Sequence, residues 1–260
     1  MNISLVQIFG ALLLIGVRLT GLMLFAPFFG STAVPARVKA MLVITLTALL
    51  YPMLSDKMPQ ISISQWPMMA FTELLIGTAM GVATNVVFDG VQMAGQILSV
   101  QMGYSLVNIL DPQTQVESTV VASFHQTIAM LIFLRLNVHF WILRALAHSF
   151  DYLPPASGHF SGNFVAAALH AGGDVFSVGI QIAAPVLSAT LLADIALGLL
   201  GKASPQLPLM LLGPAVKSIL GLLVLISALT YWPGLFEHLF LNSMGQADHL
   251  LHLARSSQSQ

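Results

Sequence analysis

Long apolar segments separated by short polar ones run along the whole chain. The first, Leu5–Phe29, is apolar apart from Gln7, Arg18 and a few small residues. A helix needs about 20 such residues to cross the hydrocarbon core of a bilayer. Further long runs cover 68–88, 163–200 and 210–232. This pattern predicts membrane-spanning helices.

Other apolar runs are shorter and are interrupted by proline or glycine. Met41–Leu54 looks too short for a full span, and Val91–Met102 continues the helix before it in a more polar form. Val120–Leu134 and Val138–Phe150 predict two short helices, and the segments between the runs predict loops at 55–66, 104–118 and 151–162. Irregular backbone at membrane depth persists only inside protein or beside a water-filled cavity. The expected fold is therefore all-α, with kinked helical hairpins buried in an assembly.

Composition favours the bilayer as solvent. Of the 260 residues, 57% are hydrophobic and 7% are charged, whereas a soluble domain carries about 25% charged residues. The mean hydropathy is +0.86. A net charge of −1 excludes the basic surface of a nucleic-acid-binding protein, and the absence of cysteine excludes thiolate chemistry. We expect one membrane-embedded domain over 1–245 and a flexible tail over 246–260. No small-residue cleavage site follows the first apolar run, so we expect that run to be retained.

Among the charged residues inside apolar runs, four are candidates for a functional or packing role: Arg18, Glu73, Asp194 and Lys217. An uncompensated charge at the centre of a membrane helix costs about 2.5–3.5 kcal/mol on insertion scales. Each therefore needs a partner or an aqueous path. Pairing within the chain, pairing across subunit boundaries and a proton or ion relay all remain open.

Three of these charges share a helix face with small residues. At helical spacing Glu73 lies with Gly77 and Gly81. Asp194 lies with Gly198, and Lys217 lies with Gly221. Small residues on membrane helices allow close approach of backbones, so these glycines predict helix-packing positions.

A polar stripe precedes the predicted loop at 104–118. Gln92, Gln96, Ser99 and Gly103 fall on one helix face, which either lines an aqueous conduit or is satisfied by neighbouring helices. The chain has no nucleotide-binding, zinc-protease or serine-hydrolase motif. The histidines that follow Asp248 are more typical of a solvated helix end than of a metal site. The sequence predicts no cofactor and no metal.

Four stretches, in order, resemble the flagellar biosynthetic protein FliR family, which includes the corresponding subunits of virulence type III secretion systems. They are RLTGLMLFAPFFGSTAVPARVK (18–39), GQILSVQMGYSLVNILDP (95–112), LRALAHSFDYLP (143–154) and LLADIALGLLGKASPQ (191–206). Together they bracket most of residues 1–240.

The resemblance implies a non-enzymatic subunit of the flagellar export gate in the bacterial inner membrane, at the flagellar basal body. In that family one copy assembles with FliP and FliQ subunits, and its chain is similar to a FliP-like part followed by a FliQ-like part. FlhB and FlhA lie against the complex, and unfolded flagellar proteins pass through it.

The resemblance also implies a pore plug after the QMG motif, at roughly 104–117. The plug residues it indicates are Tyr104, Leu106, Val107, Ile109, Leu110, Asp111 and Pro112. The aliphatic members would seal the conduit, and Pro112 would restrict the backbone.

Two other functions compete with this one. A proton-coupled secondary transporter would use Glu73, Asp89 or Asp194 as its coupling site. Such proteins usually carry inverted repeats. The only internal similarity in this sequence is the Ala-Pro pair at 26–27 and again at 184–185, which is too weak to indicate a repeat. An intramembrane enzyme comes last, because no nucleophile and base lie at a useful spacing.

Overall fold

The computed structural model describes residues 5–30, 34–54, 65–104, 120–155, 162–206 and 208–255. These residues contain eight α-helices and no strand. The helices are α1 (Leu5–Phe25), α2 (Ala36–Leu54), α3 (Trp66–Gln101), α4 (Val120–Arg135), α5 (Val138–Tyr152), α6 (Gly162–Ala203), α7 (Leu209–Ala228) and α8 (Trp232–Arg255). The predicted all-α class is confirmed.

Four helices, α1, α2, α3 and α6, are long and apolar enough to cross a membrane, and up to six spans result if each bent pair counts as one. The prediction that the second run is too short was wrong. Helix α2 begins at Ala36 and reaches 19 residues because Arg37 and Lys39 belong to its first turn. Charges at a helix end can reach the membrane surface along their alkyl stems, so they do not shorten the span.

Helix α3 joins the two runs predicted for 68–102 into one helix of 36 residues. The Asp89–Gly90 pair between those runs does not break it. A Cβ on Gly90 would lie 2.7 Å from Val178 Cβ. This glycine therefore serves close packing against α6, and the helix continues through it.

Two pairs of helices are sharply bent. Helices α4 and α5 meet at 64°, and α7 and α8 meet at 71°. Asn137, with φ 56° and ψ 30°, takes the left-handed conformation at the first bend, which an asparagine tolerates better than most residues. At the second bend Pro233 lies in the first turn of α8, where a missing backbone N–H costs little.

The chain divides into two compact units, each assembled from separated segments. The first unit contains 1–86, 137–173 and 240–260, and its core includes Ile15, Leu19, Phe150 and Phe240. The second contains 87–136 and 174–239, and its core includes Leu98, Phe133 and Phe236. Helix α8 extends to Arg255 with Leu250 and Leu251 buried, so the first ten residues of the segment predicted as a flexible tail are helical.

Candidate functional site: two charge clusters between membrane helices

A buried charge cluster lies at the centre of the first unit. Arg18 of α1 is fully buried, and its Nε donates to Glu73 Oε2 of α3 at 2.5 Å. Its Nη1 donates to Ser149 Oγ and its Nη2 to the Leu153 carbonyl oxygen, both at 3.0 Å. The guanidinium carbon lies 4.2 Å from the centroid of the Phe150 ring. We call these five residues the Arg18 cluster.

The Arg18 cluster is closed on all sides. Both charged side chains are 0% exposed, and all three guanidinium nitrogens donate to an acceptor within the unit. A desolvated cation is tolerable only when a counter-ion and hydrogen-bond acceptors surround it, and the aromatic face adds attraction. The cluster therefore ties α1 and α3 to the end of α5, and it leaves neither charge for another protein.

Close backbone contact between α1 and α3 brings the two charges together. A Cβ added to Gly77 would meet the Arg18 carbonyl oxygen. One added to Gly81 would lie 2.8 Å from Leu22 O, and one added to Gly21 would lie 2.6 Å from Leu74 O. Only hydrogen fits at these three positions. The glycines that share a stripe with Glu73 thus allow the approach on which the ion pair depends.

A second cluster, in the second unit, is half open. Asp194 of α6 accepts from Lys217 Nζ of α7 at 3.0 Å and from Gln101 Nε2 of α3 at 3.0 Å. The Asp194 side chain remains 42% exposed and that of Lys217 19%. We call these three residues the Asp194 cluster.

The glycines near the Asp194 cluster have unequal surroundings. A Cβ on Gly221 of α7 would lie 2.8 Å from Met102 Cγ, so this position packs closely against the end of α3. Around Gly198 no described residue comes within 4 Å of such a Cβ. Within the described part of the chain, Gly198 is not in a helix contact.

The C-terminal half of α3 presents a polar face. Asp89, Gln92 and Gln96 are exposed on one side of the helix, whereas Ser99 is fully buried. The Ser99 hydroxyl has no hydrogen-bond partner among the described residues. The predicted stripe is therefore divided, with the two glutamines open and the serine in the core.

Of the predicted plug, the structure describes only Tyr104, which is 38% exposed. The other plug positions lie outside the described residues; they are Leu106, Val107, Ile109, Leu110, Asp111 and Pro112.

Sequence reasoning missed several polar partners. Ser149 lies within the family-like stretch 143–154, Gln101 lies beside the predicted polar stripe, and Ser218 follows Lys217. An uncharged polar residue gives no signal of its own in such a sequence, so only its position next to a marked residue could have drawn attention to it. Among the described residues no three His, Asp or Glu side chains form a group that could hold a metal ion.

Helices long enough to span a bilayer, with charges paired between them, define an all-α integral membrane protein. Comparison with known proteins gives the particular family. A family model described as "Bacterial export proteins, family 1" matches residues 9–243. The chain belongs to this family of bacterial export proteins.

Several similar proteins carry the name flagellar biosynthetic protein FliR. The protein from Bacillus subtilis (strain 168) is 30% identical over 230 residues, which cover 86% of this chain and 87% of the relative. The one from Escherichia coli (strain K12) is 31% identical over 225 residues, covering 86% and 85%. The one from Caulobacter vibrioides is 25% identical over 219 residues, covering 84% and 87%. The resemblance stated from the four sequence stretches is confirmed.

The four stretches also converge in the structure. The first (18–39) and third (143–154) meet in the Arg18 cluster. The second (95–112) and fourth (191–206) meet in the Asp194 cluster. Segments that are distant in the sequence thus supply one charge cluster in each unit.

Proposed function

We propose that this chain is a non-enzymatic subunit of the flagellar type III protein export gate. It helps to form and plug the pore through which unfolded flagellar proteins cross the inner membrane at the flagellar basal body. Membership of a bacterial export family and the shared name of the relatives support the flagellar assignment. Those names describe flagellar biosynthesis and mention no catalysed reaction.

The observation that carries the proposal is the polar face of α3. Gln92 and Gln96 are exposed on a helix that is otherwise apolar enough to cross a membrane. Amide side chains are poorly solvated by lipid but suit a wet conduit or a polar protein surface. This face leads directly to Tyr104, at the start of the segment that the resemblance marks as the plug.

The plug consists of Tyr104 and the residues that follow it. Within 106–110 two pairs of aliphatic residues flank a single asparagine, and they can close a narrow opening by excluding water, while Asp111 and Pro112 end the apolar stretch.

The partners are the FliP and FliQ subunits, with FlhB and FlhA against the assembled gate. The half-exposed Asp194 cluster supports such an assembly, because an ion pair with 42% of its carboxylate side chain uncovered cannot face lipid at low cost. Residues 1–245 act as one FliR-like domain whose earlier part resembles FliP and whose later part resembles FliQ.

Deletion of residues 106–112 tests the plug. Inner-membrane vesicles that contain the gate should become permeable to a small fluorescent anion, with the amount of assembled complex unchanged. Serine at the four aliphatic positions of this segment should give the same result; they are Leu106, Val107, Ile109 and Leu110. The matched control is Asn108→Ser, which changes a polar position in the same segment and should leave the vesicles tight.

If the vesicles remain impermeable to the anion after the deletion, the proposed plug function is wrong. If FliP and FliQ do not co-purify with the chain from membranes that contain all three proteins, the role as a gate subunit is wrong. Proton-coupled uptake of a small solute by the purified chain in liposomes would establish the competing transporter.

A further inference from the structure

An apolar groove lies between α1 and α2, two consecutive helices of the first unit. We call it the α1–α2 groove. It encloses about 460 Å³, which is within the range of about 300–1,000 Å³ typical of small-ligand pockets. The residues that line it are mostly aliphatic and include Leu12, Leu13 and Gly16 of α1 and Val43, Ile44 and Ala48 of α2. The groove can therefore hold an apolar group.

The polar side chains of the groove are already engaged or buried. The Thr20 hydroxyl donates to Gly16 O within α1 at 2.7 Å. Thr47 is 7% exposed, and its Oγ1 lies 3.4 Å from a Cβ placed on Gly16, where the two helices approach each other. The surface left open is therefore mainly hydrocarbon, and it suits a chain of methylene groups better than a polar ligand.

Arg37 lies on the same face of α2 as the lining of the groove. It precedes Ile44 by seven residues and Ala48 by eleven, which are close to two and three turns of an α-helix. Its side chain is exposed, and no hydrogen bond or ion pair joins it to another described residue. Lys39, in contrast, donates from Nζ to Gly30 O at 3.2 Å. Arg37 is therefore a cation that is available to an anion above the groove.

A cation with a hydrocarbon groove beneath it matches a phospholipid. One leaflet of the hydrocarbon core is about 15 Å deep, and eleven residues of helix place Ala48 about 16 Å along the axis from Arg37. The guanidinium can bind a phosphate group through two N–H donors. A partner helix, about 10 Å wide, could cover the groove, but it would not by itself supply an anion at Arg37. Charge complementarity therefore favours a lipid.

We propose that the α1–α2 groove binds an anionic phospholipid, with its phosphate at Arg37 and one acyl chain between the two helices as far as Ala48. This ligand is independent of the export function proposed above, and neither the sequence nor the comparisons assign it to the chain. In α2, all of which is described, only Thr47 and Leu54 are buried. A bound acyl chain covers further apolar surface of α2 and so strengthens its attachment to α1.

Native mass spectrometry of the full-length chain, purified in detergent and titrated with phosphatidylglycerol, tests the headgroup contact. The chain should retain one phosphatidylglycerol and should not retain phosphatidylcholine with the same palmitoyl chains. Arg37→Gln should raise the dissociation constant for phosphatidylglycerol about fivefold, the factor that corresponds to about 1 kcal/mol for one cation near an anionic headgroup. The matched control is Arg135→Gln, at an exposed arginine in the last turn of α4, which should leave binding unchanged.

A second pair of variants tests the groove itself. Ala48→Phe places a ring in the groove and should reduce phosphatidylglycerol retention at least about fivefold. The matched control is Thr45→Phe, at an exposed position of α2 outside the groove lining, which should bind like the wild type. Both variants should unfold at the same temperature in detergent without lipid.

Two further ligands separate a lipid site from a site for free phosphate. Phosphatidylglycerol with six-carbon chains should bind at least about tenfold more weakly than the palmitoyl form, because each buried methylene group adds to membrane-type affinity. Glycerol 3-phosphate, which has no acyl chain, should not compete.

Several results would overturn the proposal. Equal retention of phosphatidylglycerol and phosphatidylcholine, or unchanged binding by Arg37→Gln, would show that no anionic headgroup is bound there. Equal binding by Ala48→Phe and Thr45→Phe would place the acyl chain elsewhere, and effective competition by glycerol 3-phosphate would indicate a site for small anions. If the assembled complex loses the lipid that the isolated chain retains, a partner covers the groove and the lipid site is wrong for the working protein. The export role is tested separately, by co-purification and vesicle permeability.

Discussion

The two charge clusters both place charges on membrane helices, but one is fully buried and the other is partly exposed. Arg18 and Glu73 are wholly enclosed, and the cation has an acceptor for each nitrogen and an aromatic ring beside it. The Asp194 carboxylate has two donors and remains 42% exposed. Both lie on helices that can span a membrane, where a charge facing lipid is costly.

The difference in exposure indicates whether each cluster obtains all its partners during folding of the chain or only afterwards. The Arg18 cluster is complete within one chain, so it belongs to the folding of the first unit. The Asp194 cluster keeps acceptor capacity and surface area, since an ionised carboxylate can accept about four hydrogen bonds. It gains its full stabilisation only when water or another polypeptide covers it.

The largest expected effect is at Glu73. Glu73→Gln leaves the Arg18 charge buried without a counter-ion, which should destabilise the chain by about 3–5 kcal/mol. Denaturant unfolding of the purified protein in detergent measures this loss. The matched control is Glu237→Gln at an exposed position of α8, which should change stability by less than about 0.5 kcal/mol. Arg18→Met combined with Glu73→Leu should recover much of the loss, and equal effects at the two glutamates would contradict the enclosed pair.

A smaller effect is expected at the glycine beside that pair. Gly77→Ala places a methyl group against the Arg18 carbonyl oxygen, and such overpacking should cost about 1–3 kcal/mol. Gly198→Ala is the control, because no described residue lies near its Cβ position. There alanine should stabilise the isolated chain by up to about 1 kcal/mol through helix propensity. Thermal unfolding of the two variants should therefore shift in opposite directions, and a shift in the same direction would show that the two sites do not differ.

The smallest effect on the isolated chain is expected at Asp194. Asp194→Asn keeps an acceptor for Gln101 and removes only a half-exposed ion pair, which should cost less than about 1 kcal/mol. The yield of complex with partner subunits should nevertheless fall several-fold, because we propose that a partner subunit covers the exposed part of this carboxylate. The control is Asp248→Asn, whose carboxylate lies 3.5 Å from His252 Nε2 and whose side chain is 57% exposed; it should leave that yield unchanged. If Asp194→Asn lowered the free energy of unfolding of the isolated chain as much as Glu73→Gln does, the two clusters would not differ in the way described.

Much of the fold could be predicted from the sequence because membrane helices follow from the length of apolar runs. The breaks after Leu134 and near Trp232 also coincide with the observed bends. Helix ends were harder to predict, because a charge near a boundary, such as Arg37, can lie inside or outside the helix. The continuation of α8 to Arg255 was missed because its buried leucines lie within a polar sequence.

The candidate site was predictable only in part. The four charges could be identified because charge is rare in these runs, but the sequence does not show that Arg18 pairs with Glu73, 55 positions away, or that Asp194 pairs with Lys217 on the next helix. Gly77 and Gly198 look alike in sequence, yet only Gly77 meets another backbone. The hydroxyl of Ser218 donates to the Tyr104 hydroxyl at 2.6 Å, and it could not be distinguished from that of other serines until this partner was known.

The length of α6 has a consequence for how the protein is made. Leu169, Leu192 and Leu199 are 73%, 67% and 66% exposed, and 30 residues of helix separate the first from the last, about 45 Å along the axis. A bilayer core is about 30 Å thick, and a tilt of about 40° still leaves about 34 Å to cover. A bilayer of ordinary thickness is about 4 Å short of this apolar surface, so we expect a newly synthesised copy without companions to expose leucines or to strain the bilayer. We therefore expect copies made in excess of the proposed partners to aggregate or to be degraded.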